Sequence, residues 1–373
     1  MAISLNILMA STSYPENLQD WRGRFIANLA AGIGRRGDIR LKLWAPPGEL
    51  PPGVASATLA EEKHWLRQLS ERGGIAHLLR HEKWQAPGTV GGLLLRLRRA
   101  FRRAPVDVVH VNWLQNALPL WGTSTPAVVS VLGTDFALLR LPGMKPLLRS
   151  VFRQRRTILA PNADWMRAEL EQAFGDIAEI HPVPFGVDAS WFAVQRHAPE
   201  DGIHHWLAVT RLTKNKLGDL LEWGDGLFGG KRVLHLFGPM QEQLALPAWI
   251  TYYGPAHPTQ LLESWFPKAC GLLTLSRHDE GRPQVILEAM ASGLPVIASD
   301  LVAHRDVIQH RRTGWLASSP RDFRNALDTL EQPEPNRAIG LAAQTWIRQE
   351  IGSWDDCAAR YAALYARVLE PLR

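Results

Sequence analysis

The sequence has little cysteine and no long hydrophobic run. Its 373 residues include only two cysteines, Cys270 and Cys357, which are too few and too far apart for a disulfide framework. They fit a reducing compartment, and we expect both to be buried as apolar side chains. The apolar runs are too short to span a bilayer, and the N-terminal segment MAISLNILMA lacks the basic region and the cleavage site of a secretory signal. We therefore expect a cytoplasmic protein.

The composition and length exclude a disordered chain and a small protein held together by disulfides or a metal. Hydrophobic residues make up 46% of the sequence and charged residues 21%, which is typical of an ordered globular protein. A length of 373 residues predicts two domains, with three as the alternative, and a core of that size needs no disulfide or metal to hold it together.

The net charge of +6 is concentrated in the first half of the chain. Residues 1–190 carry 23 Lys/Arg and 16 Asp/Glu, whereas residues 191–373 carry 19 and 20. Residues 63–103 alone hold 10 basic and 2 acidic side chains, and five arginines there are interleaved with leucines: Arg96, Arg98, Arg99, Arg102 and Arg103. Such a basic amphipathic segment is typical of a helix that meets an anionic membrane surface or an anionic substrate, and equally of a solvated helix face. No zinc-finger spacing or RNA-binding aromatic motif accompanies it, so we expect no nucleic-acid partner.

Short apolar runs alternate with amphipathic stretches along the whole chain. Because the runs lack polar alternates, they predict strands covered on both faces, as in parallel sheets with helices on either side. They fall in two series: Ile7–Ser11, Leu41–Ala45, Val108–Val111, Val128–Gly133 and Ile158–Ala160, then Trp206–Leu212, Val233–Phe237, Ile250–Tyr253, Leu272–Leu275 and Val296–Ser299. The segment HPVPFGVDASWF (181–192) separates the series, which predicts an α/β protein of two domains. Ligands of open parallel sheets bind beyond the carboxyl ends of the strands, so we expect the chemistry in the loops that follow strands.

The segment SRHDEGRPQVILEAMASGLPVIASD (276–300) carries the strongest chemical signal. It predicts the end of a strand, a loop, Pro283 at the first helical position and a helix that ends before Gly293. Glu280 then lies in the loop and Glu288 within the helix, about 7–8 Å of axial rise beyond Pro283. The N-terminus of such a helix is suited to a diphosphate, and the two carboxylates are spaced to hold hydroxyls on either side of it. An ordinary strand, loop and helix with solvated glutamates would have the same spacing.

Glu280 and Glu288 have the E-x7-E spacing of the family 4 retaining glycosyltransferases, and the chain resembles that family over nearly its whole length. Further similar segments are AVTRLTKNKLGDLLE (208–222), VPFGVD (183–188), YYGPAHPTQLLE (252–263), TGWL (313–316), DVVHVNW (107–113), VVSVLGTDF (128–136) and the N-terminal residues 7–37. The resemblance implies the GT-B fold, an α/β fold in which two Rossmann-like parallel-sheet domains face a central cleft. It implies an acceptor-binding domain over residues 1–187, to which a C-terminal helix at about 354–373 crosses back, and a donor-binding domain over residues 188–353.

The resemblance also implies roles for particular residues. Arg211 and Lys216 would clamp the donor diphosphate, Arg211 as a bidentate donor and Lys216 as a mobile point charge. Glu280 would hold hydroxyls of the transferred sugar, and Glu288 would hold those of the ribose. The other donor contacts that it implies are Gly281, Arg282 and Pro283 beside the sugar and phosphates, Gly254 and Pro255 beside the base, and Gly23 beside the phosphates from the other domain.

Two segments depart from the family pattern. Leu132 and Gly133 stand where the family usually has His-Gly, whose imidazole contacts the transferred sugar, and leucine can neither donate nor accept a hydrogen bond. We expect Asp135 to join the catalytic set in its place, with His110 and Gly133 on the acceptor side; a hydrogen-bonded core histidine is an equal alternative for His110. The first loop has Trp21-Arg22-Gly23 in place of a Gly-Gly pair, and Arg22 or Arg24 would add positive charge near the diphosphate.

The function implied is transfer of a sugar, with retention of configuration, from a UDP- or GDP-sugar to a hydroxyl of a lipid-linked or oligosaccharide acceptor in cell-surface glycan biosynthesis. We expect no metal or other cofactor, because basic residues would stabilise the leaving diphosphate. The enzyme would be cytoplasmic, and peripheral on the inner face of the membrane if residues 63–103 bind anionic lipid. Two alternatives stay open: a related two-domain nucleotide-sugar enzyme such as a 2-epimerase, and a non-catalytic nucleotide-sugar-binding protein, which Leu132 favours.

Overall fold

A computed structural model describes residues 4–17, 20, 22–73, 86–103, 105–133, 135–278 and 280–371. The chain divides into two compact units. The first consists of Met1–Phe185 together with Trp354–Arg373, and the second of Gly186–Ser353. Each unit contains one parallel sheet.

The described part of the first unit has a sheet of seven strands in the order β3-β2-β1-β4-β5-β6-β7. The elements in chain order are β1 (Leu5–Ala10), α1 (Arg24–Gly34), β2 (Ile39–Trp44), β3 (Val54–Ser56), α2 (Ala60–Glu71), α3 (Ala86–Arg103), β4 (Val108–Asn112), β5 (Ala127–Val131), α4 (Met144–Phe152), β6 (Thr157–Pro161), α5 (Arg167–Phe174) and β7 (Glu179–Ile180). Short 3-10 turns at Leu114–Leu120, Phe136–Arg140 and Asp164–Met166 follow β4, β5 and β6.

The described part of the second unit has a sheet of six strands in the order β10-β9-β8-β11-β12-β13. Its elements are α6 (Ala189–Phe192), β8 (His204–Val209), α7 (Lys214–Leu217), α8 (Leu220–Trp223), β9 (Arg232–Phe237), β10 (Ile250–Tyr252), α9 (Pro258–Gln260), β11 (Ala269–Thr274), α10 (Gln284–Ala291), β12 (Val296–Ser299), α11 (Val302–Arg305), β13 (Trp315–Ala317), α12 (Pro320–Leu330) and α13 (Pro333–Trp346). Single π-helical turns at Leu261–Trp265 and Ile347–Ile351 extend α9 and α13. The last helix, α14 (Trp354–Leu369), belongs to the first unit.

Both sheets have the strand order of the Rossmann fold, with an additional edge strand, β7, in the first unit. In this order the chain moves outward from a central strand in one direction and then returns to its other side. The reversal lies between β1 and β4 in the first unit and between β8 and β11 in the second. Loops that follow these central strands diverge to opposite sides, which leaves room for a ligand at the carboxyl edge.

The strands are apolar because each sheet is buried on both faces. In β5, Val129 and Val131 pack into the core on one face, whereas Val128 packs into the core on the other. The second sheet is covered in the same way by two further hydrophobic clusters. Each predicted apolar run coincides with a strand, so the prediction of parallel sheets is confirmed. Cys270 and Cys357 are both buried free thiols, as expected.

Three short strands lie outside the predicted apolar runs: β3, β7 and β13. All three are at sheet edges. Val54–Ser56 is half-exposed, and Glu179–Ile180 has only two residues. An edge strand pairs on one side only, so it can be as short as two or three residues, and a segment of that length is too short to stand out as an apolar run.

A buried hydrogen-bonded network joins α14 to the first sheet. The His110 side chain in β4 has no exposed surface. Its Nδ1 lies 2.6 Å from the Tyr365 hydroxyl, and its Nε2 lies 2.8 Å from Ser130 Oγ. Ser130 Oγ is in turn 2.6 Å from the Tyr361 hydroxyl. The network satisfies every polar group it contains, so α14 can bury two tyrosines against a strand without an unpaired hydroxyl.

We predict that replacing His110 with glutamine will make the first unit less sensitive to acid. Burial lowers the pKa of His110 from 6.5 to about 3, so below pH 6.5 the unfolded chain binds a proton that the folded chain does not. Above pH 6.5 the neutral His110 therefore does not lower the free energy of unfolding. Between pH 6.5 and about pH 3 that free energy decreases by up to about 1.4 kcal/mol for each pH unit. Urea unfolding at pH 7, 6 and 5 should show a steeper loss for the wild type than for the variant. Parallel profiles would contradict the prediction.

Candidate active site

A lysine and a glutamate meet at the carboxyl edge of the second sheet. Strands β8 and β11 are neighbours, so the loops that follow them lie side by side. Lys216 follows β8 and Glu280 follows β11, and Lys216 Nζ donates to Glu280 Oε2 at 2.6 Å. The lysine side chain is 10% exposed and the glutamate side chain 20%. The ion pair is therefore shielded from bulk water but still reachable from the surface.

The backbone around Lys216 is held tightly against the loop that follows β11. The Thr213 hydroxyl caps the short helix α7 by accepting from the Lys216 N–H at 3.2 Å. Gly218 follows with φ +53°, and Asp219 N then donates to Leu275 O at 3.0 Å. A side chain at Gly218 would place its Cβ 1.9 Å from that same Leu275 oxygen. Only glycine allows this approach, which brings Lys216 beside the loop that carries Glu280.

A chain of hydrogen bonds continues from this contact to β12. Asn215 O accepts from Arg277 N at 2.8 Å and from Ser276 Oγ at 3.3 Å. Ser299 Oγ, at the end of β12, donates to Ser276 O at 2.5 Å. The loops after β8, β11 and β12 are thus tied to one another directly beneath the ion pair.

The charges at this edge favour an anion. Burial lowers the pKa of Lys216, and the nearby Arg211 guanidinium lowers it further, whereas Glu280 raises it. Two cations are therefore close enough to repel each other, and a bound anion would relieve that repulsion. Within the described residues, no group of three or more His, Cys, Asp or Glu side chains is placed to hold a metal ion.

The second glutamate of the E-x7-E pattern lies in helix α10. The helix begins at Gln284, one residue later than predicted, with Pro283 at the N-cap. Pro283 has no side-chain acceptor for the first N–H groups of the helix, and of these the Ile286 N–H donates to Pro283 O at 3.2 Å. Glu288 is half-buried in the second turn. Gly293, with φ +68°, ends the helix as predicted.

The loop between Glu280 and α10 is buried and braced from the side. Gly281 and Pro283 are buried. The Arg282 side chain is only 8% exposed, and its Nε donates to Asp306 Oδ2 at 3.0 Å. Asp306 follows α11, so this ion pair fixes the loop against the segment after β12. The loop from Gly281 to Pro283 was expected to approach the sugar and phosphates with its backbone, and the pairing of the Arg282 guanidinium with Asp306 is compatible with that expectation.

Gly254 and Pro255, predicted beside the nucleotide base, follow β10 at the same carboxyl edge. Gly254 has φ +76°, and its carbonyl accepts from Gly238 N at 2.8 Å. Pro255 is exposed. Strand β10 is separated from β8 by β9, so these residues lie two strands away from Lys216.

In the first unit, Asp135 is buried rather than presented to a ligand. Its side chain is 3% exposed, and its carboxylate accepts from Leu114 N at 2.8 Å and from Leu132 N at 2.9 Å. Burial raises its pKa to about 6. Asp135 therefore joins the turn after β5 to the turn after β4, which is a positioning role and not the sugar contact that was expected of it. Gly133 lies in that turn with φ +95°.

Two other expectations in the first unit have a local structural explanation. His110 was expected on the acceptor side, but it lies in the core network with Tyr365, and no part of its ring is exposed. Gly23 was expected beside the phosphates. It has φ +66° at the start of α1, and a Cβ there would lie 2.7 Å from the backbone of Ser13, so packing within its own unit already requires glycine.

Residues 74–85 of the basic segment 63–103 lie outside the described residues, and its five interleaved arginines lie in the long helix α3 (Ala86–Arg103). Two of these arginines are held within the fold. Arg103 donates to Glu62 Oε1 at 2.6 Å, and Glu62 is 3% exposed. The Arg96 guanidinium lies 4.2 Å from the centre of the Trp65 ring. These two arginines attach α3 to α2 and so belong to its packed side.

The outer side of α3 carries three arginines. Arg99 is exposed, Arg98 Nη1 donates to Trp121 O at 2.6 Å, and Arg102 Nη2 donates to Gly122 O at 3.2 Å. The Trp121 side chain is 46% exposed and that of Leu95 59%. We call Leu95, Arg98, Arg99, Arg102 and Trp121 the basic helix face. None of the described helices is long and apolar enough to cross a membrane.

Sequence reasoning missed the residues that hold the loops together. Ser276 follows β11, Ser299 is the last residue of β12, and Asp306 follows α11. The rule that polar residues after parallel strands collect at one edge would have found the two serines. Nothing in the sequence indicates that Asp306 pairs with Arg282, because that contact depends on how the two loops fold.

The chain is similar to known glycosyltransferases in sequence and in fold. Residues 200–332 match the family model described as Glycosyl transferases group 1. The chain is 25% identical over 308 residues to a GDP-mannose-dependent alpha-(1-6)-phosphatidylinositol monomannoside mannosyltransferase of Mycobacterium tuberculosis, covering 72% of this chain and 78% of the relative. Among solved structures it resembles sucrose-phosphate synthase from Thermosynechococcus elongatus, with a TM-score of 0.71, 14% identity and 98% and 99% of the two chains covered. It also resembles Anabaena HepE in complex with UDP-glucose, with a TM-score of 0.65, 16% identity and 97% and 100% covered.

The two parallel sheets match those of solved glycosyltransferase structures with the GT-B fold. The chain contains a glycosyl transferases group 1 domain, which confirms its resemblance to family 4 and identifies it as a glycosyltransferase.

We predict that Gly218→Ala will destabilise the second unit more than Gly226→Ala. Both glycines have positive φ, +53° and +67°, but a Cβ at Gly226 would meet no described atom within 4 Å. Gly226→Ala, the control, should lower the free energy of unfolding by about 1–2 kcal/mol, because alanine is strained at positive φ. Gly218→Ala should lower the free energy of unfolding by at least about 2 kcal/mol more, because the backbone must move away from Leu275 O and because ψ of −119° places Gly218 outside the left-handed helical region. Equal losses in chemical denaturation would show that the close approach is unimportant.

Proposed function

We propose that the protein transfers a sugar from a nucleotide-sugar donor, with a UDP or GDP leaving group, to a hydroxyl of a lipid-linked or oligosaccharide acceptor. The observation that carries the proposal is the Lys216–Glu280 ion pair at the switch point of the second sheet, with Arg211 nearby. A cation for the diphosphate and a carboxylate for the sugar hydroxyls are thereby already in contact before a donor binds.

The diphosphate is assigned to Lys216 and Arg211. A nucleotide diphosphate carries negative charge that the leaving oxygen increases in the transition state, and closely placed cations stabilise that charge more strongly than they stabilise the ground state. Their mutual repulsion in the unliganded protein makes this an anion site. The N-terminus of α10, whose N-cap Pro283 supplies no side-chain acceptor, adds a positive dipole end to the same edge.

Glu280 is assigned to the hydroxyls of the transferred sugar, and Glu288 to those of the ribose. When a diphosphate attracts Lys216, Glu280 needs new hydrogen-bond donors, and sugar hydroxyls are suitable ones. Ligand binding would thus exchange one partner of a half-buried carboxylate for another. The remaining donor contacts are assigned to the backbone of Gly281 and Pro283 and to Gly254 and Pro255 beside the base.

The transfer would retain configuration by a front-face route. In that route the leaving phosphate accepts the proton of the acceptor hydroxyl while the new glycosidic bond forms and the sugar–phosphate bond breaks. No protein nucleophile takes part, whereas a double displacement would need a carboxylate beneath the anomeric carbon. Lys216 and Arg211 would supply the electrostatic stabilisation of the departing diphosphate without a metal.

The division of labour would follow the two units. We assign donor binding to the second unit and acceptor binding to the first, with the polar turns after β4 and β5 as the acceptor side. A mycobacterial relative acts, by its name, on a phosphatidylinositol mannoside and uses GDP-mannose, and the HepE structure contains UDP-glucose. These names support a lipid-linked acceptor and leave both UDP and GDP donors open.

The basic helix face is assigned to an anionic membrane surface. Arg98, Arg99 and Arg102 lie beside exposed Leu95 and Trp121, which combines positive charge with apolar and amphipathic side chains, as interfacial helices do. An enzyme that acts on a lipid-linked acceptor from the cytoplasmic side would bind the inner face of the membrane in this way.

A non-catalytic nucleotide-sugar-binding protein is the second candidate function. Leu132 stands at the position of a sugar-contacting histidine, and the Asp135 carboxylate that was expected to compensate for it is used to hold backbone N–H groups. Binding of a nucleotide sugar without turnover against any acceptor would establish this alternative, and interconversion of sugar epimers without transfer would instead indicate an epimerase.

We predict that Lys216→Met and Glu280→Gln will each lower turnover at least about a hundredfold, because each removes a charged group from the reacting centre. Lys214→Met is the matched control, since Lys214 is exposed in the same short helix. The assay measures release of UDP or GDP from a panel of nucleotide sugars, with and without lipid-linked and oligosaccharide acceptors, and NMR of the early product reports its anomeric configuration. Near-normal turnover in either variant would refute that residue's role, and an inverted product would refute retention.

We predict that Arg98, Arg99 and Arg102 together carry membrane binding. Replacing all three with glutamine should reduce association with vesicles containing anionic phospholipid by at least tenfold at low salt, since each basic residue near such a surface contributes about 1 kcal/mol. The matched control replaces Arg321, Arg324 and Arg337, three exposed arginines of the second unit, in the same way. Arg103 is left unchanged because it pairs with buried Glu62. Equal binding by the two triple variants in vesicle sedimentation would contradict the assignment.

A further inference from the structure

His304 is a buried histidine that the assigned donor site does not use. It lies in α11, directly after β12, and its side chain has no exposed surface. Its Nδ1 lies 2.8 Å from the carbonyl oxygen of Ser299, the last residue of β12. A carbonyl oxygen only accepts, so Nδ1 carries the proton and donates it. Burial lowers the pKa of His304, which favours the neutral ring. In a neutral imidazole with its proton on Nδ1, Nε2 is an acceptor.

The Nε2 atom of His304 is buried and has no hydrogen-bond partner within the part of the chain that the structure describes. Buried polar atoms in native proteins are almost always paired, so one that is not calls for a functional or structural explanation. The two nitrogens of an imidazole point to opposite sides of the ring. Because Nδ1 is directed at the end of β12, Nε2 is directed away from the strand end.

The charges of the donor site act on this same ring. Glu280 raises the pKa of His304 and Lys216 lowers it, in addition to the larger effects of burial and the Ser299 hydrogen bond. Ser299 also connects His304 to the loop that carries Glu280, through the hydrogen bond from Ser299 Oγ to Ser276 O. His304 is therefore joined through Ser299 to the loop that precedes Glu280, and it lies within electrostatic reach of the Lys216–Glu280 pair.

We propose that His304 forms part of the sugar subsite, where its Nε2 accepts a hydrogen bond from a hydroxyl of the transferred sugar. The inference rests on the proposed function. Phosphate oxygens are acceptors and cannot pair with an acceptor nitrogen, so the group that fills this position must be a donor. In a nucleotide sugar held by Glu280, the nearest donors are the sugar hydroxyls.

The subsite has a definite chemical preference. Glu280 and His304 Nε2 are both acceptors, so together they favour a sugar that presents two neighbouring hydroxyl donors. A donor lacking one of those hydroxyls would leave an acceptor buried and unpaired, which is disfavoured more strongly than the loss of an exposed hydrogen bond. His304 would thereby contribute to the choice of sugar and not to the choice of nucleotide.

The test separates the sugar from the nucleotide. Calorimetry measures the dissociation constants of two ligand pairs, GDP with GDP-mannose and UDP with UDP-glucose. In the pair that the wild type binds, the dissociation constant of the nucleoside diphosphate divided by that of the nucleotide sugar gives the contribution of the sugar to affinity. His304→Asn keeps an amide N–H in the place of Nδ1 and has no atom at Nε2. It should reduce the sugar contribution about three- to tenfold and leave nucleoside diphosphate affinity within twofold.

Two further variants make the result specific. His304→Gln places an amide oxygen near the Nε2 position and should retain most of the sugar contribution. Arg305→Gln is the matched control on the same helix, because Arg305 is exposed and paired with Asp300. It should leave both affinities unchanged.

The proposal can also be tested in the wild type, without a variant that must fold. The ¹⁵N resonance of His304 Nε2 should shift on addition of the nucleotide sugar and not on addition of the nucleoside diphosphate. An unchanged sugar contribution in His304→Asn, an equal loss for sugar and diphosphate, or an Nε2 resonance that does not respond to the sugar would overturn the proposal. If the wild type binds neither nucleotide pair, the proposed donor is wrong and this inference is wrong with it, an outcome that no variant is needed to recognise.

Discussion

The close approach of the loop after β8 to the loop after β11 is the constraint on which the candidate site depends. Parallel strand order makes these loops neighbours, but Gly218 determines how near they come, because any side chain there would collide with Leu275 O. The hydrogen bond from Asp219 N to Leu275 O and those to Asn215 O complete the junction. Lys216 and Glu280 can pair at 2.6 Å only because the two backbones are already fixed.

The Lys216–Glu280 ion pair brings a cation and a carboxylate together at the edge of the second sheet. Two cations and a carboxylate lie together at an edge that is only partly exposed, so each charge is partly compensated without a ligand. A diphosphate would take over the cations, and hydroxyls would take over the carboxylate. Beneath them, Ser276, Ser299 and His304 form a polar layer that connects three loops of one sheet. The same parallel topology therefore provides both the reacting groups and their support.

Much of the fold was predictable because burial on both faces leaves a mark in the sequence. Central strands such as Val108–Asn112 are apolar at every position except where a polar residue has a buried partner, so their runs could be recognised. Edge strands such as Val54–Ser56 leave no such mark. His110 and Asp135 show the corresponding weakness for sites: both are polar residues near strand ends, yet tertiary contacts with Tyr365 and with two backbone N–H groups use their polar atoms internally.

The sequence by itself determined the two-series α/β pattern, the uneven charge, and the residues Arg211, Lys216, Glu280 and Glu288 with the spacing that identifies their family, because these depend on residue type and local order. Tertiary structure alone decided which of the polar residues meet. It paired Lys216 with Glu280 and Arg282 with Asp306, and it divided the arginines of α3 between a packed and an exposed side. It also buried His304 with one nitrogen that has no partner among the described residues. Those outcomes depend on contacts between segments distant in sequence, which no local pattern records.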